Sequence, residues 1–196
     1  MGAATFLIIG LGNPGREYKD NRHNVGFMLI DRLAVRLDAR MTRLQSRALV
    51  SSIQFEEHKL ILAKPQTYMN LSGDSAQGLA RFYKVPLAQV LVAHDDLDLP
   101  FGSIRLRPGG GPGGQKGVDS AIKRLGTKEF PRLRIGIGRP PGRMDPAAYV
   151  LQDFPAADMI VLSEMLDRAA EATFTFIREG IQAAMNKFNA SPKLTD

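Results

Sequence analysis

Short apolar segments alternate with longer segments of helical periodicity along the chain. The apolar segments are typical of strands, and they predict six of them. The predicted strands are Phe6–Gly10, Leu49–Phe55, Leu60–Ala63, Val90–His94, Ser103–Arg107 and Leu133–Gly138.

The helical segments lie between these strands and at the C-terminal end. The first helix is predicted from about Asn24 to Ala39, with Asn24 as its N-cap. Its apolar residues recur at helical spacing: Val25, Met28, Leu29, Leu33 and Leu37. Further helices are predicted from Ser72 to Tyr83 or Lys84, over Gly117–Leu125, and from about Pro155 to Phe188 with a break at Gly180.

This alternation of strands and helices predicts an α/β fold. We expect a single three-layer α/β/α domain over residues 1–196, built on a twisted, mixed and largely parallel sheet. Its C-terminal portion, from about residue 155, is expected to be helical. Ligands in such folds bind beyond the ends of the strands, so the loops that follow the strands are the first places to look for chemistry.

The amino-acid composition excludes some kinds of catalytic site and favours one class of binding partner. The 196 residues include no cysteine, which removes disulfides, thiol catalysis and zinc–thiolate sites and fits a reducing cytoplasm. No apolar run reaches the roughly 18 residues of a membrane helix. The net charge is +6, and basic residues cluster at 105–117, 123–128 and 130–143. This balance favours a polyanionic partner such as nucleic acid.

The stretch IIGLGNPGREYKDNRHNVGF (residues 8–27) carries three glycines at the spacing G-x-G-x-x-G of a dinucleotide-binding loop: Gly10, Gly12 and Gly15. Such a loop must open directly into a helix, because the pyrophosphate lies on the helix N-terminus. Here helical periodicity resumes only near Asn24. We therefore interpret residues 13–15 as a tight turn that holds Asn13 near the strand end. Asn13 then either satisfies local backbone or faces a ligand.

His23 is the candidate general base. It directly precedes the first predicted helix, whose positive end favours neutral imidazole over imidazolium. Neutral imidazole is an effective base near pH 7, and a carboxylate on its other nitrogen fixes the tautomer. The segment VLVAHDDLDLP supplies Asp95, Asp96 and Asp98 at the end of an apolar strand. The competing interpretation of His23 is a packed or surface histidine.

The other two histidines lead to different expectations. His58 lies in FEEHKL between two strands and is expected to be an exposed hairpin residue. His94 and the three aspartates after it offer nitrogen and oxygen ligands, so a metal-dependent phosphohydrolase is one alternative hypothesis. The sequence has no other convincing ligand set, and no metal is expected. There is also no G-x-S-x-G elbow, so water is the expected nucleophile if His23 is a base.

Four segments together resemble the bacterial-type peptidyl-tRNA hydrolase family. They are GLGNPGREYKDNRHNVGF (10–27), KPQTYMNLSG (64–73), VAHDDLDLPFGSIRLRPGGGPGG (92–114) and FPRLRIGIGRP (130–140), and they stand in family order. The resemblance implies an esterase that cuts the bond between a peptide and the 3′-terminal ribose of tRNA, and so recycles tRNA from aborted translation. It also implies a monomeric cytoplasmic enzyme without a cofactor.

The resemblance assigns roles to individual residues. It makes His23 the base and Asp95 the carboxylate that supports it. Asn13 would help to distinguish N-blocked from free aminoacyl-tRNA, and Asn70 would hold the substrate end and donate to the developing oxyanion. Tyr18, Tyr68 and Met69 would line the cleft for the tRNA 3′ end. On their charge, Arg105, Arg107, Lys116 and Arg134 would either bind tRNA phosphates or form a solvated basic face, and Gln115 is a further candidate for substrate binding.

One segment departs from the family pattern. After the glycines near residue 113 the family commonly has a histidine and then an asparagine that helps to hold water and substrate, whereas Gln115 and Lys116 stand here. Either Gln115 substitutes for that asparagine, or Lys116 anchors the terminal phosphate of the tRNA. The departure also motivates an alternative, a non-catalytic RNA-binding member of the same fold. Residues 139–150 predict a loop that leads into a short helix over the cleft, as a mobile lid or a rigid connection.

Overall fold

A computed structural model describes residues 3–190, so the first two and last six residues of the predicted domain lie outside the described range. Its centre is one seven-stranded sheet. The strands are β1 (Thr5–Gly10), β2 (Arg43–Gln45), β3 (Ala48–Phe55), β4 (His58–Pro65), β5 (Val90–Asp96), β6 (Ile104–Arg107) and β7 (Arg132–Gly136). The helices are α1 (Val25–Arg36), α2 (Ser72–Phe82), α3 (Lys116–Leu125), α4 (Pro146–Val150) and α5 (Met159–Phe188).

The sheet is mixed, with the strand order β2-β3-β4-β1-β5-β7-β6. The four central strands are parallel, and β2, β3 and β6 add antiparallel edges. The predicted α/β fold with a mixed sheet is confirmed. Parallel pairs do not predominate, because β3 joins β4 through only two residues and so short a connection permits only an antiparallel pair.

Helices cover both faces of the sheet, which gives the three predicted layers. Helices α1 and α5 bury one apolar core together with alternate strand residues such as Ile8, Leu62 and Leu91. Helices α2 and α3 bury the second core with the intervening residues, among them Ile9 and Ile61. Successive strand side chains point to opposite faces, so the continuous apolar runs of β1 and β4 serve both cores at once.

Several predicted boundaries differ from the structure. Strand β2 was not predicted because it has only three residues, of which Arg43 and Gln45 are polar and Leu44 is exposed. Helix α1 ends at Arg36, three residues before the predicted end at Ala39. Helix α5 contains the predicted break, since Gly180 has φ 85° and ψ 174°. Within residues 3–190, no helix is long and apolar enough to cross a membrane.

The expectation that His58 is an exposed hairpin residue is wrong. His58 is buried because β4 begins two residues earlier than predicted. Its Nδ1 accepts a hydrogen bond of 3.3 Å from the Ala4 backbone N–H, and its ring packs edge-on against Phe6. The residues just before β1 cover the end of the β3–β4 hairpin at His58. The sequence FEEHKL contains no pattern that could predict this long-range contact.

Candidate active site

Glycines bring helix α1 against the sheet next to the site. A Cβ atom on Gly10 would lie 2.1 Å from the carbonyl oxygen of Gly26, and one on Gly26 would lie 2.5 Å from the backbone nitrogen of Leu11. Strand β1 and helix α1 therefore approach more closely than any side chain would permit. Gly10 and Gly12 of the G-x-G-x-x-G stretch serve this packing, which places the segment before α1 at the carboxyl ends of β1 and β5.

The segment between β1 and α1 contains two short 3₁₀ turns, at Arg16–Tyr18 and Arg22–Asn24, and the helix begins only at Val25. No helix opens at the glycines, in agreement with the rejection of a dinucleotide loop. Asn24 precedes the helix but makes no capping hydrogen bond, so its predicted role is wrong. Its side chain instead bonds the N–H and the carbonyl of Asn13, each at 2.9 Å.

His23 and Asp95 meet at the end of the sheet. The Nδ1 atom of His23 lies 2.9 Å from both carboxylate oxygens of Asp95. Asp95 is 3% exposed in its side chain and His23 is 12% exposed. A carboxylate accepts hydrogen bonds only, so this contact assigns the proton to Nδ1 and leaves Nε2 as the acceptor. This tautomer is the one that a general base requires.

The neighbouring Asp96 points to the other face of the sheet, as strand alternation requires. Its Oδ2 accepts a hydrogen bond of 2.6 Å from Nε of Arg134, and its Oδ1 accepts one from the Asp98 backbone N–H. Burial alone would raise the pKa of Asp96, but the bonds from Arg134 and Asp98 bring that pKa below its ordinary value. Asp96 therefore carries a fixed negative charge that neutralises Arg134.

The histidine and aspartates proposed as metal ligands have separate partners. His94 is buried and donates from Nδ1 to the backbone carbonyl of Asp95 at 2.8 Å, and burial lowers its pKa below the ordinary value. Asp98 pairs with Arg139. In the part of the chain that the structure describes, no three His, Asp or Glu side chains converge to hold a metal ion.

A cavity of about 610 Å³ opens at the His23–Asp95 pair. The exposed side chains at its wall include those of Tyr68, Asn70 and Lys116. Helix α4 and the residues beside it form the opposite wall. The further lining residues are Asn13, Met69, Asp96, Leu97, Gly113, Gly114, Gln115, Asp145, Pro146, Ala147, Val150 and Leu151.

Asn13 has one half of its amide fixed by the protein. Its Oδ1 accepts a hydrogen bond of 2.8 Å from the Met69 backbone N–H. Within residues 3–190, its Nδ2 donates to no protein acceptor, and Asn13 lines the cavity. The expectation that Asn13 satisfies local backbone is therefore met by its own backbone and its Oδ1, while its role toward a ligand stays a prediction.

The remaining predicted site residues fall in three places. Tyr18 lies in the first 3₁₀ turn and is not part of the cavity wall. Gln115 is buried behind Asp95 and does not reach forward into the cavity with a free amide. Arg105 and Arg107 are exposed on the edge strand β6, directly opposite Arg134 and Arg132 of β7.

Sequence reasoning missed Arg22. This buried guanidinium lies 4.3 Å from the centre of the Tyr149 ring and donates to the backbone carbonyls of Gln152 and Asp153. It ties the turn that carries His23 to the end of α4. The sequence predicts a loop and a short helix within residues 139–150, and the structure shows Asp145 as the N-cap of that helix, but no pattern indicates that Arg22 packs against its end.

The fold and the cleft together define a class of protein. An α/β sheet that ends in a cavity with a buried carboxylate behind a histidine is the arrangement of an enzyme that removes a proton from its nucleophile. Comparison with known proteins then identifies the family.

The family model for peptidyl-tRNA hydrolase matches residues 7–195. The chain is 46% identical over 185 residues to the peptidyl-tRNA hydrolase of Frankia alni, with 94% of each chain covered. It is 48% identical over 189 residues to that of Mycobacterium tuberculosis, covering 96% of this chain and 99% of the relative. A crystal structure of peptidyl-tRNA hydrolase from Acinetobacter baumannii matches with a TM-score of 0.89 at 34% identity, covering 97% of each chain. The chain therefore belongs to the peptidyl-tRNA hydrolase family.

Proposed function

We propose that the protein hydrolyses the ester bond between a peptide and the 3′-terminal ribose of tRNA, with water as the nucleophile and His23 as the base. The observation that carries this proposal is the contact of 2.9 Å between Nδ1 of His23 and the buried carboxylate of Asp95, at the wall of a cavity wide enough for a nucleotide and an aminoacyl group. Family membership supplies the substrate class.

The mechanism follows from the tautomer. Nε2 of His23 takes a proton from water as the water attacks the ester carbonyl, and Asp95 stabilises the imidazolium that forms. General-base catalysis of this kind contributes about 10²–10⁴ in rate. The imidazolium then returns the proton to the ribose 3′ oxygen as the carbon–oxygen bond breaks. The products are a peptide with a free carboxylate and an intact tRNA.

Asn70 is the proposed donor to the oxyanion. Its exposed side chain lies at the cavity wall beside Met69, and a neutral amide donates without losing a proton. A single oxyanion donor is worth roughly 10²–10³ in rate. Asn13 is the proposed probe of the blocked amino group, because its free Nδ2 matches a peptide carbonyl oxygen and repels an ammonium group.

Three of the exposed residues at the cavity wall, Tyr68, Asn70 and Lys116, are proposed to bind the tRNA 3′ end. Tyr68 is 62% exposed and offers its ring face to a base, while Met69 shapes the floor beneath it. Base–aromatic stacking is worth about 1–3 kcal/mol. The Lys116 ammonium, with no carboxylate within 4 Å in residues 3–190, would bind a backbone phosphate there. Tyr18 has no part in this proposal, because it stands outside the cavity wall.

The edge of the sheet is proposed to bind phosphates of the tRNA stem. Arg105 and Arg107 on β6 face Arg134 and Arg132 on β7, so four guanidinium groups share one face. Burial lowers the pKa of Arg132 below its ordinary value, and the nearby Arg107 and Arg134 add to that effect. Like charges directly opposite one another destabilise a sheet. Asp96 offsets the charge of Arg134, and a bound polyanion would offset the charges of Arg105 and Arg107.

The proposal is tested by incubating the protein with N-acetyl-aminoacyl-tRNA and, separately, with free aminoacyl-tRNA, each with and without EDTA. We expect cleavage of the blocked substrate alone, at a rate that EDTA does not change. Binding without cleavage would favour the RNA-binding alternative, which the family comparison does not favour. Loss of cleavage in EDTA would favour the metal-dependent alternative. One chain supplies every residue of the proposed site, so we also propose that the enzyme acts as a monomer, in the cytoplasm where its substrate arises.

A further inference from the structure

The side chain of Gln115 makes three hydrogen bonds. Its Nε2 donates to Oδ1 of Asp95 at 3.0 Å and to Sδ of Met69 at 3.2 Å. Its Oε1 accepts from the Val118 backbone N–H at 2.8 Å, and this bond caps helix α3. Gln115 therefore connects the carboxylate behind His23 directly to the first turn of a helix.

These contacts determine the orientation of the amide. Rotating it by 180° would place Oε1 against the Asp95 carboxylate and the NH₂ group against the Val118 N–H. Both contacts would then be repulsive, since each would pair like with like. The helix N-terminus thus selects the orientation in which Gln115 presents a donor to Asp95.

Asp95 depends on this donor. In residues 3–190 its buried carboxylate accepts hydrogen bonds from two side chains, those of His23 and Gln115. A buried carboxylate that loses a donor carries an uncompensated desolvation cost. The His23 contact alone does not fix the carboxylate in one rotamer, because Nδ1 is equidistant from both oxygens. The bond from Gln115 reaches only Oδ1 and so breaks that symmetry.

The backbone around Gln115 is built to hold it there. Gly113 and Gly114 have φ of 57° and 83°, in the left-handed region that favours glycine, and they turn the chain into α3. A Cβ atom on Gly117 would lie 2.5 Å from Sδ of Met69 and 2.8 Å from Cδ1 of Leu11. The first turn of α3 therefore packs tightly beneath the cavity, and Gln115 has little freedom to move away from Asp95.

We propose that Gln115 is a positioning residue for the hydrolytic reaction, one that holds the Asp95 carboxylate against Nδ1 of His23 through its Nε2–H. The inference rests on the proposed function. Gln115 lines the cavity and acts through Asp95, and because its amide is neutral it supports Asp95 at any working pH without adding a charge to the pair.

Two variants separate this role from helix capping. Gln115→Glu keeps the length of the side chain and an acceptor for the Val118 N–H, but it replaces the donor with an oxygen that repels Asp95. Gln115→Met keeps the length and removes both contacts. We expect kcat for N-acetyl-aminoacyl-tRNA to fall about 10- to 100-fold in both variants, the loss of one hydrogen bond to a charged group. KM should stay within about twofold. Tm should fall in both variants, in Gln115→Met because the cap of α3 is lost and in Gln115→Glu because two buried carboxylates meet. The loss of kcat in Gln115→Glu, which keeps the cap, is therefore the result that separates the two roles.

A matched pair in the Asp95→Ala background tests whether Gln115 acts through Asp95. There Gln115→Met should cost no further rate, because its target is gone. Full kcat in Gln115→Glu, or an equal loss in both backgrounds, would overturn the inference and leave capping as the only role. The wild type is measured alongside. If it fails to cleave the substrate, the proposed function fails and this inference falls with it, whereas an active wild type with unchanged variants contradicts this inference alone.

Discussion

Two groups of side chains that line the cavity are organised in opposite ways. On the anchored side, formed by Asn13, His23, Asp95 and Gln115, every side chain makes a hydrogen bond with the protein at 3.0 Å or less. On the open side, formed by Tyr68, Asn70 and Lys116, the side chains are exposed and make no such bond within residues 3–190. The side chains of the anchored side are therefore held in place before a ligand binds, whereas those of the open side can adjust their positions to a ligand.

This difference separates chemistry from binding. Catalytic groups act best when their geometry is fixed in advance, because no reorganisation is then needed as charge develops. Groups that bind a flexible single strand gain from mobility, since they must adapt to its backbone. We therefore expect substitutions on the anchored side to lower kcat. Substitutions of Tyr68 or Lys116 should act mainly on substrate binding. Asn70 lies on the same open side, but it is also proposed to donate to the transition state, so its substitution should affect kcat as well.

Substitution of His23 should give the largest effect. His23→Ala removes the proposed base, so kcat should fall about 10²–10⁴-fold. The Kd for tRNA should stay within about twofold, because His23 lies on the anchored side. Single-turnover cleavage at saturating enzyme measures the first quantity, and a direct binding titration measures the second. A variant that retains full kcat would remove His23 from the mechanism.

Substitution of Asp95 should give the next largest effect. Asp95→Asn keeps the shape but replaces a charged acceptor with a neutral amide, which costs the charge-assisted bond to Nδ1 of His23. Such bonds are worth about 1.5–3 kcal/mol, so kcat should fall roughly 10- to 100-fold. The same single-turnover assay measures this loss. An unchanged rate would show that Asp95 is only structural.

The strand that carries the anchored side should also make stability depend on pH. Burial lowers the pKa of His94 from its ordinary value of 6.5, so the folded state keeps His94 neutral where the unfolded chain takes up a proton. Below pH 6.5 this group therefore lowers the free energy of unfolding, by up to about 1.4 kcal/mol per pH unit, until the pH falls through the lowered pKa.

The variant His94→Gln keeps a donor for the Asp95 carbonyl and cannot titrate. Urea titrations of the wild type and the variant, run at about pH 7 and about pH 5, give the free energy of unfolding of each protein. This free energy should change less with pH in the variant than in the wild type. The difference between the two slopes isolates His94 from the other histidines. Equal slopes would contradict the assignment of a neutral, buried His94.

The smallest effect is expected on the open side. Lys116→Ala should raise KM about fivefold with little change in kcat, the loss of about 1 kcal/mol for one solvent-exposed contact between opposite charges. The slope of log KM against log salt should become shallower by about 0.7, the value for one phosphate on a single strand. Lys59→Ala is the matched control, because Lys59 is exposed at the opposite end of the sheet. Equal effects in both variants would exclude a specific contact by Lys116.

Much of the fold is predictable because it depends on local patterns. The apolar runs of β1 and β5, the spacing in α1 and the break at Gly180 in α5 are each visible within a few residues. Strand β2 and the burial of His58 are not, because both depend on pairing partners distant in the sequence. Local propensity carries no information about such contacts.

The candidate site was predictable to a similar degree and for a similar reason. The end of β5 and the head of α1 indicated Asp95 and His23, and strand ends meet at one edge of a sheet. The double role of Gln115 was not predictable, since it requires knowing that the N-terminus of α3 lies beside Asp95. The stacking of Arg22 on Tyr149 likewise joins segments that are far apart in the chain. The two residues whose carbonyls Arg22 bonds, Gln152 and Asp153, follow it by 130 and 131 positions.

The central claim is that His23 and Asp95 act as one unit, and a double-mutant cycle tests it most directly. Single-turnover rates for N-acetyl-aminoacyl-tRNA are compared among the wild type, His23→Ala, Asp95→Asn and the double variant. If Asp95 acts only through His23, the double variant is no slower than His23→Ala alone. If the two losses multiply instead, Asp95 acts independently of His23 and the proposed unit is contradicted.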